Sequence, residues 1–124
     1  MLKNVVVTVN CPGGANGGLH IDVSRWSHKL KKNDNDAIEF EAKGDAMLYM
    51  DVTWMPGECP FDLADNRLTV YPKNTPGKGD GKTGLVKQGF PTPSDVRYWI
   101  TVYFTDPNGR ARYVDIDPDM VIEA

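Results

Sequence analysis

VRYWITVYF from Val96 to Phe104, then a break at Asp106-Pro107-Asn108-Gly109, then RARYVDID from Arg110 to Asp117: this stretch decides the fold. β-branched and aromatic residues fill both runs, the composition of strands. In the break, Pro107 presets φ for the second position of a type I turn and Asn108 tolerates the third. Gly109 is suited to the left-handed position of a G1 bulge. The pattern predicts a β-hairpin.

The turn also predicts a register. With Asp106 opposite Arg110, Phe104 faces Arg112, Val102 faces Val114 and Ile100 faces Ile116, while Tyr103 meets Tyr113 and Thr101 meets Asp115. Residues paired across antiparallel strands share a face. One face then carries Val96, Tyr98, Ile100, Val102, Val114 and Ile116, and is the expected core side. The other carries Arg97, Trp99, Thr101, Tyr103, Thr105 and Tyr113, so either a loop covers it or something binds there.

Upstream, Val5, Val7 and Val9 alternate with polar residues as a first strand, odd positions inward. Cys11 to Gly18 is too glycine-rich for regular structure. Leu19, Ile21 and Val23 alternate as a second strand, and His28 to Asp36 is polar and turn-prone. Ile38, Phe40 and Ala42 mark a strand with a charged outer face, and Gly44-Asp45 turns the chain into Ala46 to Trp54. In that run Leu48, Met50, Val52 and Trp54 share one side and Met47, Tyr49, Asp51 and Thr53 the other. A short strand follows at Arg67 to Tyr71. Pro72 to Gly84 contains no apolar anchor and is expected to be an exposed, mobile loop. Leu85 to Gln88 forms at most a brief strand, and the tail Met120-Val121-Ile122 is apolar enough to lie against an edge. No stretch has a sustained helical period. Seven to eight short antiparallel strands with Gly and Pro punctuation predict an all-β, immunoglobulin-like Greek-key sandwich occupying residues 1–124 as a single domain.

The length of 124 residues suits one core. A net charge of −3 with both signs dispersed points away from nucleic acid. Lys29, Lys31 and Lys32 are diluted at once by Asp34 and Asp36. Met1-Leu2-Lys3 runs straight into a short valine stretch without a signal-peptide or membrane-span pattern, so the expected place is the cytoplasm, with no membrane partner. Cys11 and Cys59 are then expected as free thiols.

Candidate chemistry is sparse. Gly77 to Thr83 resembles a phosphate loop but has Pro76 where its first glycine belongs. A metal or redox centre of cupredoxin type would have to draw on Cys11, His20, His28 and Cys59, because residues 90–120 hold neither Cys nor His. There is no GxSxG elbow and no nucleophile forced beside a histidine, so no enzyme, no catalytic residue and no cofactor is expected. The positive feature is aromatic. Trp99, Tyr103 and Tyr113 on the non-core face suit contact with a protein, a second copy of the chain, or a carbohydrate.

The tail Asp115-Ile116-Asp117-Pro118-Asp119-Met120-Val121-Ile122-Glu123, following an aromatic strand, resembles the DP-EP family of prokaryotic immunoglobulin-like β-sandwich domains. Asp117-Pro118 matches the first half of that name, while Asp119-Met120 stands where Glu-Pro belongs. The resemblance implies a Greek-key sandwich and no particular activity. The expectation is a small binding or protein-interaction module, self-associating or with a protein partner. The alternatives are the metal or redox protein and a carbohydrate-binding domain.

Overall fold

The computed structural model describes residues 1–11, 18–73 and 75–124; the glycine-rich loop expected after Cys11 falls largely outside the described residues. The hairpin has the predicted register. β8 (Trp99–Thr105) pairs with β9 (Ala111–Ile116) as Ile100↔Ile116, Thr101↔Asp115, Val102↔Val114, Tyr103↔Tyr113 and Phe104↔Arg112. At the turn, Gly109 has φ 81° and its N–H donates to the Asp106 carbonyl at 2.9 Å. Asp106 does more than start the turn. Its Oδ1 accepts from the Asn108 and Arg110 N–H groups at 2.9 Å each, and its Oδ2 from Arg112 Nε at 3.0 Å. The Arg110 N–H in particular holds this carboxyl below its ordinary pKa.

The run from Val96 to Phe104 is not one strand in one sheet. It breaks at Tyr98 into β7 (Ser94–Arg97) and β8. The partner arm breaks at Asp117-Pro118 into β9 and β10 (Asp119–Glu123). β7 pairs with β10 in a different sheet, as Arg97↔Asp119, Val96↔Met120 and Ser94↔Ile122, which continues the hairpin register without insertion. Pro118 has no N–H to give the ladder, and at the crease only the Tyr98 N–H to Pro118 carbonyl contact remains, at 3.4 Å. One bent ribbon therefore spans two sheets, and its even-numbered side faces inward in both.

Among the described residues the remaining strands are β1 (Leu2–Asn10), β2 (His20–Val23), β3 (Ser27–Lys31), β4 (Ala37–Lys43), β5 (Met47–Thr53) and β6 (Arg67–Val70). The sheets run β2-β1-β4, β3-β10-β7 and β6-β5-β8-β9, sandwich-like around one apolar core. There are more strands than the seven to eight expected, and not all pairings are antiparallel. β1 with β4 and β3 with β10 are parallel, the first because β2 and β3 supply the crossover such a pair needs.

Four local expectations also need correction. The polar segment after Trp26 is β3, with His28 and Leu30 buried and Lys29 and Lys31 outside; a histidine in an apolar position hides the alternation. The C-terminal tail, expected to lie against an edge, is instead the central strand β10 between β3 and β7. In β5 the register shifts between Met47 and Tyr49, burying Met47 and exposing Leu48. The 72–84 segment is exposed from Pro76 to Asp80 as expected, but it is pinned at Gly81 and Thr83 by backbone rather than by apolar side chains. Phe40 N–H donates to the Gly81 carbonyl at 2.8 Å, Thr83 N–H donates to the Ile38 carbonyl at 2.9 Å, and Glu39 bridges Lys82, closing the free edge of β4. A Cβ on Gly81 would collide with the Phe40 carbonyl oxygen, so this approach requires glycine.

The core centres on aromatic rings. Tyr98 stacks on Trp54 at 5.4 Å between centroids, meets Phe40 edge-on at 5.9 Å, and shares a hydrogen bond with His28 Nε2 at 2.7 Å. Burial, helped by the charge of Arg25 and opposed by Asp119, lowers the His28 pKa from 6.5 to about 4. The Tyr98 phenol is raised, by burial first and then by Asp119. Protons therefore bind His28 of the unfolded chain before that of the folded one. The contribution is complete above pH 6.5 and is lost as the pH falls toward 4.

Urea unfolding at pH 7.5 and pH 4.5 should show a loss on the order of 2 kcal/mol from this group, allowing for solvent screening. His28→Gln, which still reaches the Tyr98 hydroxyl but does not titrate, should remove that component. An unchanged pH profile in the variant would refute the assignment. Gly81→Ala should release the 72–84 segment from β4 while leaving the core folded, read as faster limited proteolysis there.

Candidate interaction surface

The outer face of the four-stranded sheet is built by strand alternation. Met50, Val52, Ile100 and Val102 point inward and are fully buried, so Tyr49, Asp51, Thr101 and Tyr103 must point outward. Register then aligns a row of tyrosines across all four strands. Tyr49 stacks on Tyr103 with centroids 4.5 Å apart and planes at 19°, and on Tyr71, just past β6, at 5.3 Å and 28°. Tyr103 meets Tyr113 of β9 at 6.0 Å and 42°. Lys78 closes the β6 end, with Nζ 4.5 Å from the Tyr71 ring centroid, a cation–π contact.

Beside the rings runs a polar row. Thr69 Oγ1 donates to Asp51 Oδ1 at 2.5 Å and Thr101 Oγ1 donates to Asp115 Oδ1 at 2.7 Å, so the hydroxyls hold both carboxylates in place. The Tyr103 phenol is pushed above its ordinary pKa by desolvation, then by Tyr49, Asp51, Asp115 and Tyr113 around it. The Tyr103 phenol therefore keeps its proton and can both donate and accept a hydrogen bond.

The geometry of stacking limits what this face can do. Rings pressed face to face present their edges and hydroxyls to solvent, and their faces are already covered. Tyr113 is the exception, 67 % exposed at the end of the row. It also lies on an edge strand, since β9 ends its sheet. The Asp106 N–H donates to the Arg110 carbonyl at 2.8 Å, making that a hydrogen-bonded pair. Alternation from there turns the N–H and C=O groups of Ala111, Tyr113 and Asp115 away from β8. The open ring and the open backbone coincide.

Of the three aromatics expected on this face, Tyr103 and Tyr113 touch. Trp99 is on the same face but pairs with Thr53, two rows away, roughly 13 Å along the strand from Tyr103. Tyr49 and Tyr71 complete the row; Tyr49 keeps the side shared with Asp51 and Thr53 that alternation gives it, and what sequence does not show is the long-range pairing that sets it between Tyr103 and Tyr71. The four metal-ligand candidates are not gathered. Cys11 and His20 lie at the paired ends of β1 and β2. His28 is buried against Tyr98, and the Cys59 thiol is buried against the Phe61 carbonyl at 3.3 Å, its pKa raised by burial. Among the described residues no three His, Cys, Asp or Glu side chains are arranged to hold a metal. No helix among them is long and apolar enough to cross a membrane.

The chain matches no family model, no curated protein and no solved structure. A double-mutant cycle on Tyr49→Ala and Tyr103→Ala should give a coupling of about 0.5–1.5 kcal/mol in chemical denaturation, the range for stacked pairs. Additive losses would show that the rings are adjacent without interacting.

Proposed function

We propose that the protein is a small interaction module that joins a second copy of itself by strand addition along β9. The observation that carries this reading is the coincidence at Tyr113 of an uncovered ring and unpaired backbone groups. The free groups of Ala111, Tyr113 and Asp115 are spaced evenly about Tyr113, so an antiparallel copy centred there satisfies all of them. That register sets Tyr113 on the partner's Tyr113 and continues the stack across the join. It also sets Asp115 opposite Ala111, away from the other carboxylate, and keeps both outer faces on the same side.

The carbohydrate alternative has less support. Sugar platforms present ring faces, and here only the Tyr113 face is free. A metal or redox role lacks converging ligands among the described residues. The immunoglobulin-like reading of the fold rests on the sandwich-like layering and on the Asp117-Pro118 match, while the parallel pairs set this chain apart from an all-antiparallel form.

Sedimentation across a concentration series should show a dimer forming in the micromolar range. Tyr113→Ala should weaken it by about tenfold or more, the scale of an aromatic hot spot. Tyr113→Pro removes an outward N–H without touching the β8–β9 ladder, and should abolish the dimer while the fold survives. A wild-type chain that stays monomeric at millimolar concentration would refute this reading.

A further inference from the structure

The far end of the tyrosine row opens into a cleft of about 220 Å³ between β4 and the 72–84 segment. Its walls include Glu39, Glu41, Tyr71, Lys73, Lys78 and Asp80, over apolar floor from Phe40 and Val70. Backbone pairing of Gly81 and Thr83 to β4 holds the outer wall in place. Its described residues are thus held without an apolar anchor of their own, and together with β4 they enclose this cleft.

The charges inside are unequally satisfied. Glu41 holds Lys73 at 3.3 Å and Lys43 at 3.9 Å, and Asp80 holds Lys82 at 3.7 Å. Glu39 and Lys78 have no ion pair among the described residues, and Lys78 instead rests on the Tyr71 ring. One half-buried carboxylate and one ammonium group, both without an ion-pair partner among the described residues, therefore share a small cleft whose wall also holds the Tyr71 ring. A purely anionic ligand would meet Glu39 and Glu41, and a purely cationic one would meet Lys73 and Lys78. A molecule carrying both charges suits each. The volume lies below the usual range for drug-sized ligands and suits an occupant the size of an amino acid.

We propose that this cleft is a binding site for a zwitterionic small molecule of amino-acid size, with its ammonium group on Glu39 and its carboxylate on Lys78. The site is separate from Tyr113 and does not depend on the chain pairing with a copy of itself.

The test is a nuclear magnetic resonance titration of the full chain with each of the twenty standard L-amino acids. At least one should give saturable shifts at the amides of Glu39, Tyr71 and Gly79 to Gly81. The N-acetyl and the amide derivatives of that amino acid should each bind about tenfold more weakly, the effect of losing one charge-assisted contact. Glu39→Gln should abolish the preference over the N-acetyl form, and Lys78→Met the preference over the amide form. Both changes are at the surface, and unchanged thermal unfolding would confirm that the variants are folded. The proposal is overturned if no amino acid gives saturable shifts at these amides, or if either variant keeps the corresponding preference.

Discussion

The packing of one ring, Tyr98, constrains the rest of this structure. It stands where the C-terminal ribbon leaves one sheet for another, and its side chain reaches residues tied to all three. Phe40 belongs to β4, His28 to β3, and Trp54 directly follows β5. Pro118 leaves the ladder one donor short at the crease, and burial of a large stacked ring beside it helps hold the two arms together there. Its hydroxyl satisfies one nitrogen of a histidine that is only 5 % exposed. Removing only that oxygen would leave the imidazole as a buried polar group with a cost of about 1–3 kcal/mol.

From this crease the sidedness of the ribbon follows. Tyr98 points inward, so Ile100 and Val102 do as well, and Trp99, Thr101 and Tyr103 are left outside. The outer tyrosine row is thus a consequence of core packing combined with register. Stacking converts four separate amphipathic side chains into a continuous surface whose inner members expose edges and hydroxyls. Only the terminal ring at β9 keeps a face to offer. At the opposite end a lysine covers the last ring, and there the surface turns into a cleft with charges of both signs.

Much of this was legible in the chain. The hairpin register could be worked out from the Asp-Pro-Asn-Gly corner because turn chemistry and side-chain parity agree there. The inward valines of β1 follow from simple alternation and are fully buried. What was not legible has identifiable causes. The sheet change at Tyr98 leaves no mark in the alternation, because inward and outward sides continue through it, and only Pro118 on the other arm hints at a lost donor. β3 is disguised because His28 fills a core position. The irregularity between Met47 and Tyr49 exchanges Met47 and Leu48 between the faces, while the place of Tyr49 in the row depends on the long-range pairing of β5 with β6 and β8. The 72–84 segment looks unanchored because its anchors are peptide groups, which composition does not report. The parallel pairs are long-range and have no local signature.

The bent ribbon has a consequence for how the chain tolerates changes in length. Its two arms keep a single register through both sheets, so adding or deleting one residue anywhere along either arm would exchange the inward and outward sets beyond that point. Aliphatic groups would be driven into water in two layers at once, with tyrosines forced into the interior. Insertions should therefore be accommodated at the corner around Asn108 and Gly109, where the chain is exposed and no partner strand counts residues.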